Sequence, residues 1–270
     1  MKSIGFRLFR FAVLALFTVI FLYPIVYAVY YSLLPLPDMG KIVPISHFTL
    51  ESYTDLYNNY PVGRWILNTL IVTVSVVTFS VILNSMAGYA LARWEFPGKK
   101  VIFAIVLGSM MIPYQFVITP VYIQLAHLQW NDQLIGIIVP FIINCLYIFM
   151  ARQFFLSVPK ELEEAARVDG LGLIGTFFRI VAPISAPLVV SIIILNFTGT
   201  WNFYIGPATF INNRNNYVLS VGIKTVKDFM YDRKNQTLAG VVVLSLPILI
   251  MFTVMQKHFV EGIATTGIKG

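Results

Sequence analysis

The sequence predicts an all-α polytopic membrane protein with six transmembrane helices. Of its 270 residues, 58% are hydrophobic and only 11% charged. Soluble domains carry about 25% charged and about 45–50% apolar residues, so this chain has too few charges to solvate a surface of its own. Six stretches without Asp, Glu, Lys or Arg, residues 11–37, 65–92, 101–131, 133–151, 180–213 and 235–256, are each long enough to cross ~30 Å of hydrocarbon. They are apolar all round rather than alternating, which predicts helices and excludes a membrane barrel. A disulfide-stapled module is excluded as well, because Cys145 is the only cysteine.

The spans are placed at residues 11–32, 66–92, 101–123, 134–155, 188–205 and 238–258, in a single transmembrane domain covering 1–270, with a core of about 66–258. The first follows a basic stretch (Lys2, Arg7, Arg10) but is too long for a signal-peptide core of about 7–15 residues, so it is expected to stay uncleaved. The third and fourth are separated by a polar loop around Asp132, with His127, Gln129, Asn131 and Gln133. Short loops rich in Lys and Arg face the cytoplasm. Twelve of the 19 basic residues fall with the N-terminus, the 93–100 connection, the 152–187 connection and the C-terminus. Both termini are therefore expected in the cytoplasm of a multi-pass cell-membrane protein. The net charge of +7 is mostly a topology signal and gives a nucleic-acid role little support.

Apart from Arg152 and Lys257, close to the ends of the fourth and sixth spans, no Asp, Glu, Lys or Arg lies inside a predicted span. Ion-coupled transporters keep such groups at mid-membrane, so their absence argues against that class. An intramembrane enzyme needs a paired nucleophile and base or a metal site. The three histidines, His47, His127 and His258, fall at loops or a span end, and Cys145 reads as a small buried hydrophobe. A stand-alone channel needs a repeated filter or charged ring, and none is visible. Gly98-Lys99-Lys100 is not a phosphate-binding loop, because Arg93 stands where the preceding glycine is required. Neither an enzyme nor an ATP site is expected in this chain.

Uncharged polar groups do enter the spans: Asn68, Thr73, Thr78 and Asn84 in the second, Asn144 in the fourth, and Asn196, Thr200 and Asn202 around the fifth. Two readings stand side by side, hydrogen bonds between helices and a polar translocation path, for which Asn84, Asn144, Asn196, Thr200, Trp201 and Asn202 are the candidates. Trp201, Tyr204, Tyr89 and Tyr147 suit either stacking on a sugar or a place at the membrane interface. Gly88 and Ala92, four apart, predict close helix packing. Pro24, Pro113, Pro120, Pro140 and Pro247 each remove a helix hydrogen bond and favour kinks.

The loop at 157–187 carries most of the information. Pro159 suits the first helical position, and Glu161, Glu163 and Glu164 follow near the positive end of the helix dipole. Leu162, Ala165 and Ala166 form a small apolar face, Glu163 and Arg167 have the spacing of an ion pair, and Gly170 is placed to end the helix as its C′ residue. A second short helix is expected to run to Pro183.

Glu164-Ala165-Ala166, Gly170, Ile180 and Pro183, in this spacing, resemble the EAA motif of ABC importer permeases. Ala182 stands where that family often has leucine. Asn68-Thr69, the run Tyr89 to Arg93, Gly98-Lys99-Lys100, Met111-Ile112-Pro113 with Pro120, and Trp201-Asn202-Phe203 with Pro207 are similar to the carbohydrate-uptake branch. The tail from Glu261 to Gly270 resembles that of a maltose-transporter permease.

The resemblance implies the type I importer core and one of two permease subunits, which work with two ATPase subunits and an extracytoplasmic solute-binding protein on a sugar substrate. ATP and Mg are then bound by the partner ATPase, with no cofactor here. It further implies a cytoplasmic coupling helix in which Glu164, Ala165, Ala166, Asp169, Gly170, Ile180 and Pro183 meet the ATPase, and a tail contact through Gly262, Gly267 and Lys269. An amino acid or polyol phosphate in place of sugar is the alternative within the family.

Overall fold

The computed structural model describes residues 4–226 and 233–267, and within them all side chains except those of residues 4, 167 and 256–267. In chain order the helices are α1 (Ile4–Ser32), α2 (Glu51–Asn59), α3 (Val62–Arg93), α4 (Lys99–Met110), α5 (Tyr114–His127), α6 (Val139–Ile142), α7 (Cys145–Ser157), α8 (Glu161–Val168), α9 (Leu173–Thr176), α10 (Ala182–Ile184), α11 (Ala186–Trp201), α12 (Ile205–Phe210), α13 (Leu219–Lys224) and α14 (Lys234–Gly267). No strand occurs among the described residues.

Four stretches are long and apolar enough to cross a membrane: Gly5–Ser32, Val62–Arg93, Leu134–Ser157 and Lys234–Met255. Two further spans are each a pair of bent helices. Lys99–Met110 and Tyr114–His127 meet at 105°, and Leu173–Ile184 and Ala186–Trp201 at 78°. Six spans result when each pair counts as one. The third span, expected as one helix over 101–123, is thus broken. Pro113 has no N–H to give, and it sits in extended backbone as the residue before α5. The fifth span ends earlier than expected, at Trp201, and its Asn202–Tyr204 end is a turn leading into α12. Helix continues through Pro24, Pro120 and Pro247.

The chain divides into two compact units, Met1–Arg64 with Leu219–Pro247, and Trp65–Val218 with Ile248–Gly270. In the first, α2 packs by burying Ser52 and Leu56. The Asn235 amide donates to Ser52 Oγ at 3.1 Å, and Gln236 Nε2 donates to an Asp55 carboxylate oxygen at 3.2 Å. No element is placed between the first two spans by the sequence; the nine residues of α2 have few apolar positions and carry little periodicity.

In the second unit the core gathers Tyr89, Tyr147, Ala151, Phe155, Phe177, Val181, Leu188 and Ile192 from α3, α7, α11 and the π-helical turn Phe177–Val181. Helices α3 and α7 touch at backbone distance. A Cβ on Gly88 would collide with that of Ala151 and lie 2.8 Å from the Arg152 backbone nitrogen. Gly88 thus plays the close-packing role predicted for the Gly88–Ala92 pair, and Ala92 also packs against this core.

Candidate functional site

The α8 loop is built from its two ends inward. Backbone N–H groups of Glu163 and Glu164 donate to the Lys160 carbonyl at 2.9 and 3.0 Å, closing the first turn. At the other end Gly170 has φ +78°, and the Leu171 N–H returns to the Ala166 carbonyl at 2.9 Å. That six-to-one bond with a left-handed residue before it is the Schellman ending. Gly170 is therefore the C′ residue, as its position predicted.

What anchors α8 differs from the expected pairing. The Glu163 side chain turns into the protein, 6% exposed. It accepts from the Tyr89 hydroxyl at 3.1 Å and places Oε1 2.7 Å from Nε of Arg93. The last contact is an ion pair by proximity rather than an aligned hydrogen bond. Arg93 also donates through Nη2 to the Val158 carbonyl. The partner of Glu163 is therefore the last residue of α3, whereas Arg167, the residue expected to pair with it, has a side chain outside the described set. Burial explains the choice: among neighbouring α8 carboxylates only Glu163 faces inward, so only it needs a cation on the same side.

The Tyr89 ring meets Phe155 at 5.4 Å and Phe177 at 5.2 Å, centroid to centroid. Two sequence features noted separately, the run from Tyr89 to Arg93 and the acidic helix, thus meet in one buried cluster. Sequence reasoning missed Glu163 as the anchor because i,i+4 spacing is visible within a helix, while a partner seventy residues away is not.

The two alanines do not share a face. Ala166 is 2% exposed, next to Glu163 on the inner side, whereas Ala165 is exposed together with Leu162, Glu164, Val168, Asp169 and Gly170. The small face expected from Leu162, Ala165 and Ala166 is corrected accordingly. The outward apolar surface runs Leu162, Ala165, Val168, and Val168 is 88% exposed. Residues one apart lie 100° apart on a helix, so one alanine turns out where the other turns in. Beyond Gly172, Ile180 lies in the π-helical turn and Pro183 in α10, both on the segment that leads into α11. Gly262 and Gly267, expected in the tail contact, fall on the helical backbone of α14, and Lys269 lies outside the described residues.

Of the candidate path residues, the structure brings Asn84 and Asn144 together. Asn84 is fully buried, and its Nδ2 donates to the carbonyls of Ser80 at 2.7 Å and Ile142 at 2.9 Å. Its Oδ1 accepts the Asn144 N–H at 3.0 Å, and the Asn144 side chain caps α7 through the Leu146 N–H at 2.9 Å. These bonds replace those lost where α6 gives way to α7, as broken helices in lipid require. Asn196 and Thr200 pair on one face of α11, the Thr200 hydroxyl donating to Asn196 Oδ1 at 3.0 Å. Asn196 Nδ2 is buried with no protein partner among the described residues. Trp201 is buried and stacks on Phe197 at 5.5 Å, while Asn202 is exposed.

At the opposite end of α3 a second cluster forms. The Trp65 indole N–H donates to the Arg214 carbonyl at 2.8 Å, and the Asn68 amide to the carbonyls of Asn215 and Tyr217 at 2.8 and 2.9 Å. Asp132, in left-handed backbone with φ 60°, accepts through Oδ1 from the backbone N–H groups of Asn212 and Asn213, the latter at 2.7 Å. The asparagine-rich loop is therefore tied down on both sides, with residues 212–215 exposed. From Asn68 to Arg93 an α-helix rises ~37 Å, more than the ~30 Å hydrocarbon core, so the two clusters lie at opposite membrane faces if α3 spans.

Residues 84–265 match the family described as "Binding-protein-dependent transport system inner membrane component". The chain is similar to the arabinooligosaccharides transport system permease protein AraQ of Bacillus subtilis, 29% identical over 98% of each chain. It is also similar to the diacetylchitobiose uptake system permease protein NgcG of Streptomyces coelicolor, 29% identical over 94% of this chain and 86% of the relative. The fold is that of a chain in the crystal structure of a bacterial ABC transporter involved in import of the acidic polysaccharide alginate. The TM-score is 0.85, at 23% identity, covering 96% of this chain and 99% of that one.

Proposed function

The chain belongs to the family of binding-protein-dependent transport inner-membrane components, and on that premise we propose that it is a permease subunit of an ATP-driven ABC importer for a sugar or oligosaccharide. The arabinooligosaccharide and diacetylchitobiose systems of its relatives support the carbohydrate class. It forms half of the translocation path beside a second permease subunit, and two ATPase subunits hold ATP and Mg and carry out hydrolysis. An extracytoplasmic solute-binding protein delivers the sugar to the face that carries the 212–215 loop. Both termini and α8 lie in the cytoplasm.

The observation that carries the mechanism is the tie between α8 and α3 through Glu163, Tyr89 and Arg93. A helix that docks on an ATPase moves the spans only if it is fixed to one of them. The outward row of Leu162, Ala165 and Val168, with Glu164 and Asp169 beside it, is the surface for the ATPase cleft. Gly170 turns the chain away from that surface, and Ile180 and Pro183 lead the motion into α11. The tail residues Gly262, Gly267 and Lys269 contact the ATPase pair in addition. Two bistable orientations of the ATPase pair then bias inward- and outward-open arrangements of the spans.

Deleting the chain from its native cell and measuring uptake of labelled oligosaccharides, amino acids and glycerol phosphate tests this reading. Loss of one carbohydrate, restored by the intact chain, is the expected result. Normal uptake of every carbohydrate alongside loss of an amino acid or a polyol phosphate overturns the substrate class.

A further inference from the structure

We propose that the cleft between the end of α3, the start of α4 and the middle of α7 binds the headgroup of an anionic phospholipid. The cleft is about 600 Å³ and is lined by Glu95, Phe96, Lys99, Lys100, Phe103 and Arg152 among others. Three cations face one carboxylate. Glu95 answers Lys99 only, at 3.0 Å, and it is itself largely in solvent. Lys100 is exposed. Arg152 lies with its guanidinium carbon 3.9 Å from the centre of the Phe103 ring and uses Nε on the Leu91 carbonyl at 3.3 Å. That pose holds the guanidinium in place, and its Nη groups make no hydrogen bond among the described residues, so the fork is available for bidentate binding of phosphate.

The surroundings choose a lipid over a soluble anion. Immediately after the lysines, α4 presents Val101, Ile102 and Ile105 as exposed apolar side chains. One molecule that satisfies both a cationic cleft and the apolar helix face continuing from it has a phosphate attached to acyl chains. The placement at the end of a span suits that molecule too, since basic pockets between membrane helices hold phospholipid headgroups. Helices α4 and α7 form a stable wall behind the cleft, through stacked Phe103 and Phe149 at 6.5 Å and the buried cluster of Leu91, Val106 and Ile148. The inference depends on membrane insertion alone and holds whatever solute is carried.

The test is native mass spectrometry of the complete purified transporter, titrated with phosphatidylglycerol or phosphatidylcholine. The intact protein should retain phosphatidylglycerol preferentially. Each surface cation contributes a factor of roughly five. Lys99→Gln with Lys100→Gln should therefore weaken phosphatidylglycerol binding by roughly 25-fold and leave phosphatidylcholine binding unchanged. Arg152→Gln should weaken it roughly fivefold, and Arg152→Lys should recover only part of that loss, because an ammonium keeps the charge but has no bidentate fork. The pair Lys41→Gln with Arg64→Gln removes the same charge elsewhere and should change nothing. Wild-type preference in the Lys99 and Lys100 double variant, or displacement of the lipid by inorganic phosphate at equal concentration, overturns the proposal.

Discussion

The two ends of α3 hold their neighbours by different chemistry. At the Arg93 end, one side chain grips another: a buried carboxylate meets a guanidinium and a phenol. At the Trp65 end, side chains grip backbone: an indole and an amide donate to loop carbonyls, and Asp132 accepts from loop N–H groups. The first arrangement requires particular residues on both elements and leaves a buried charge unpaired if either is lost. The second fixes the course of a loop while leaving residues 212–215 exposed. The difference teaches which end is suited to carry force and which to present a surface of variable identity.

The largest effect should come from splitting the buried pair. Removing one member of such a pair costs about 3–5 kcal/mol, because the other charge stays buried. Glu163→Ala or Arg93→Ala should lower the melting temperature of the purified complex and abolish uptake. Glu163→Gln with Arg93→Met should recover much of the stability. If the double variant is no more stable than the singles, the pair is not coupled as described.

The alanines sharpen the same comparison. Ala166→Leu pushes bulk into a packed interior, expected to cost about 1–3 kcal/mol, so thermal stability should fall. Ala165→Leu adds bulk on the exposed face. It should leave the melting temperature unchanged while weakening co-purification of the ATPase subunits. Equal melting-temperature losses in the two variants would show that both positions are internal.

A smaller effect is expected at Gly170. Its φ of +78° strains any residue with a Cβ by about 1–2 kcal/mol, although no atom lies within 4 Å of where that Cβ would be. Gly170→Val should therefore reduce uptake through backbone strain alone, and Gly170→Asn, which tolerates this conformation, should retain most of it. An equal loss with asparagine would point to the glycine surface itself.

The mildest variants should be at the other end. Asp132→Ala removes the acceptor for two loop N–H groups, and in this exposed setting about 1 kcal/mol is at stake. Faster proteolysis within 212–215 and weaker stimulation by the solute-binding protein are expected, with basal ATP hydrolysis unchanged. A full loss of assembly would mean that the latch holds more than the loop.

Membrane residence, the helical spans and the acidic loop helix with its glycine stop were determined by the sequence itself. Hydropathy, proline, capping and φ preference act over a few residues, so they are written where they operate. Pro113 announced a kink, and Gly88 announced a close approach to some helix. Only the tertiary structure decided that the third span breaks by 105°, that the helix meeting Gly88 is α7, and that Asn84 is spent on mending the break before α7. It also separated Ala165 from Ala166 and joined Glu163 to Arg93. Each of these depends on which face of one helix meets which face of another. That choice is made by packing and by the burial of charge across long sequence separations, and no local pattern encodes it.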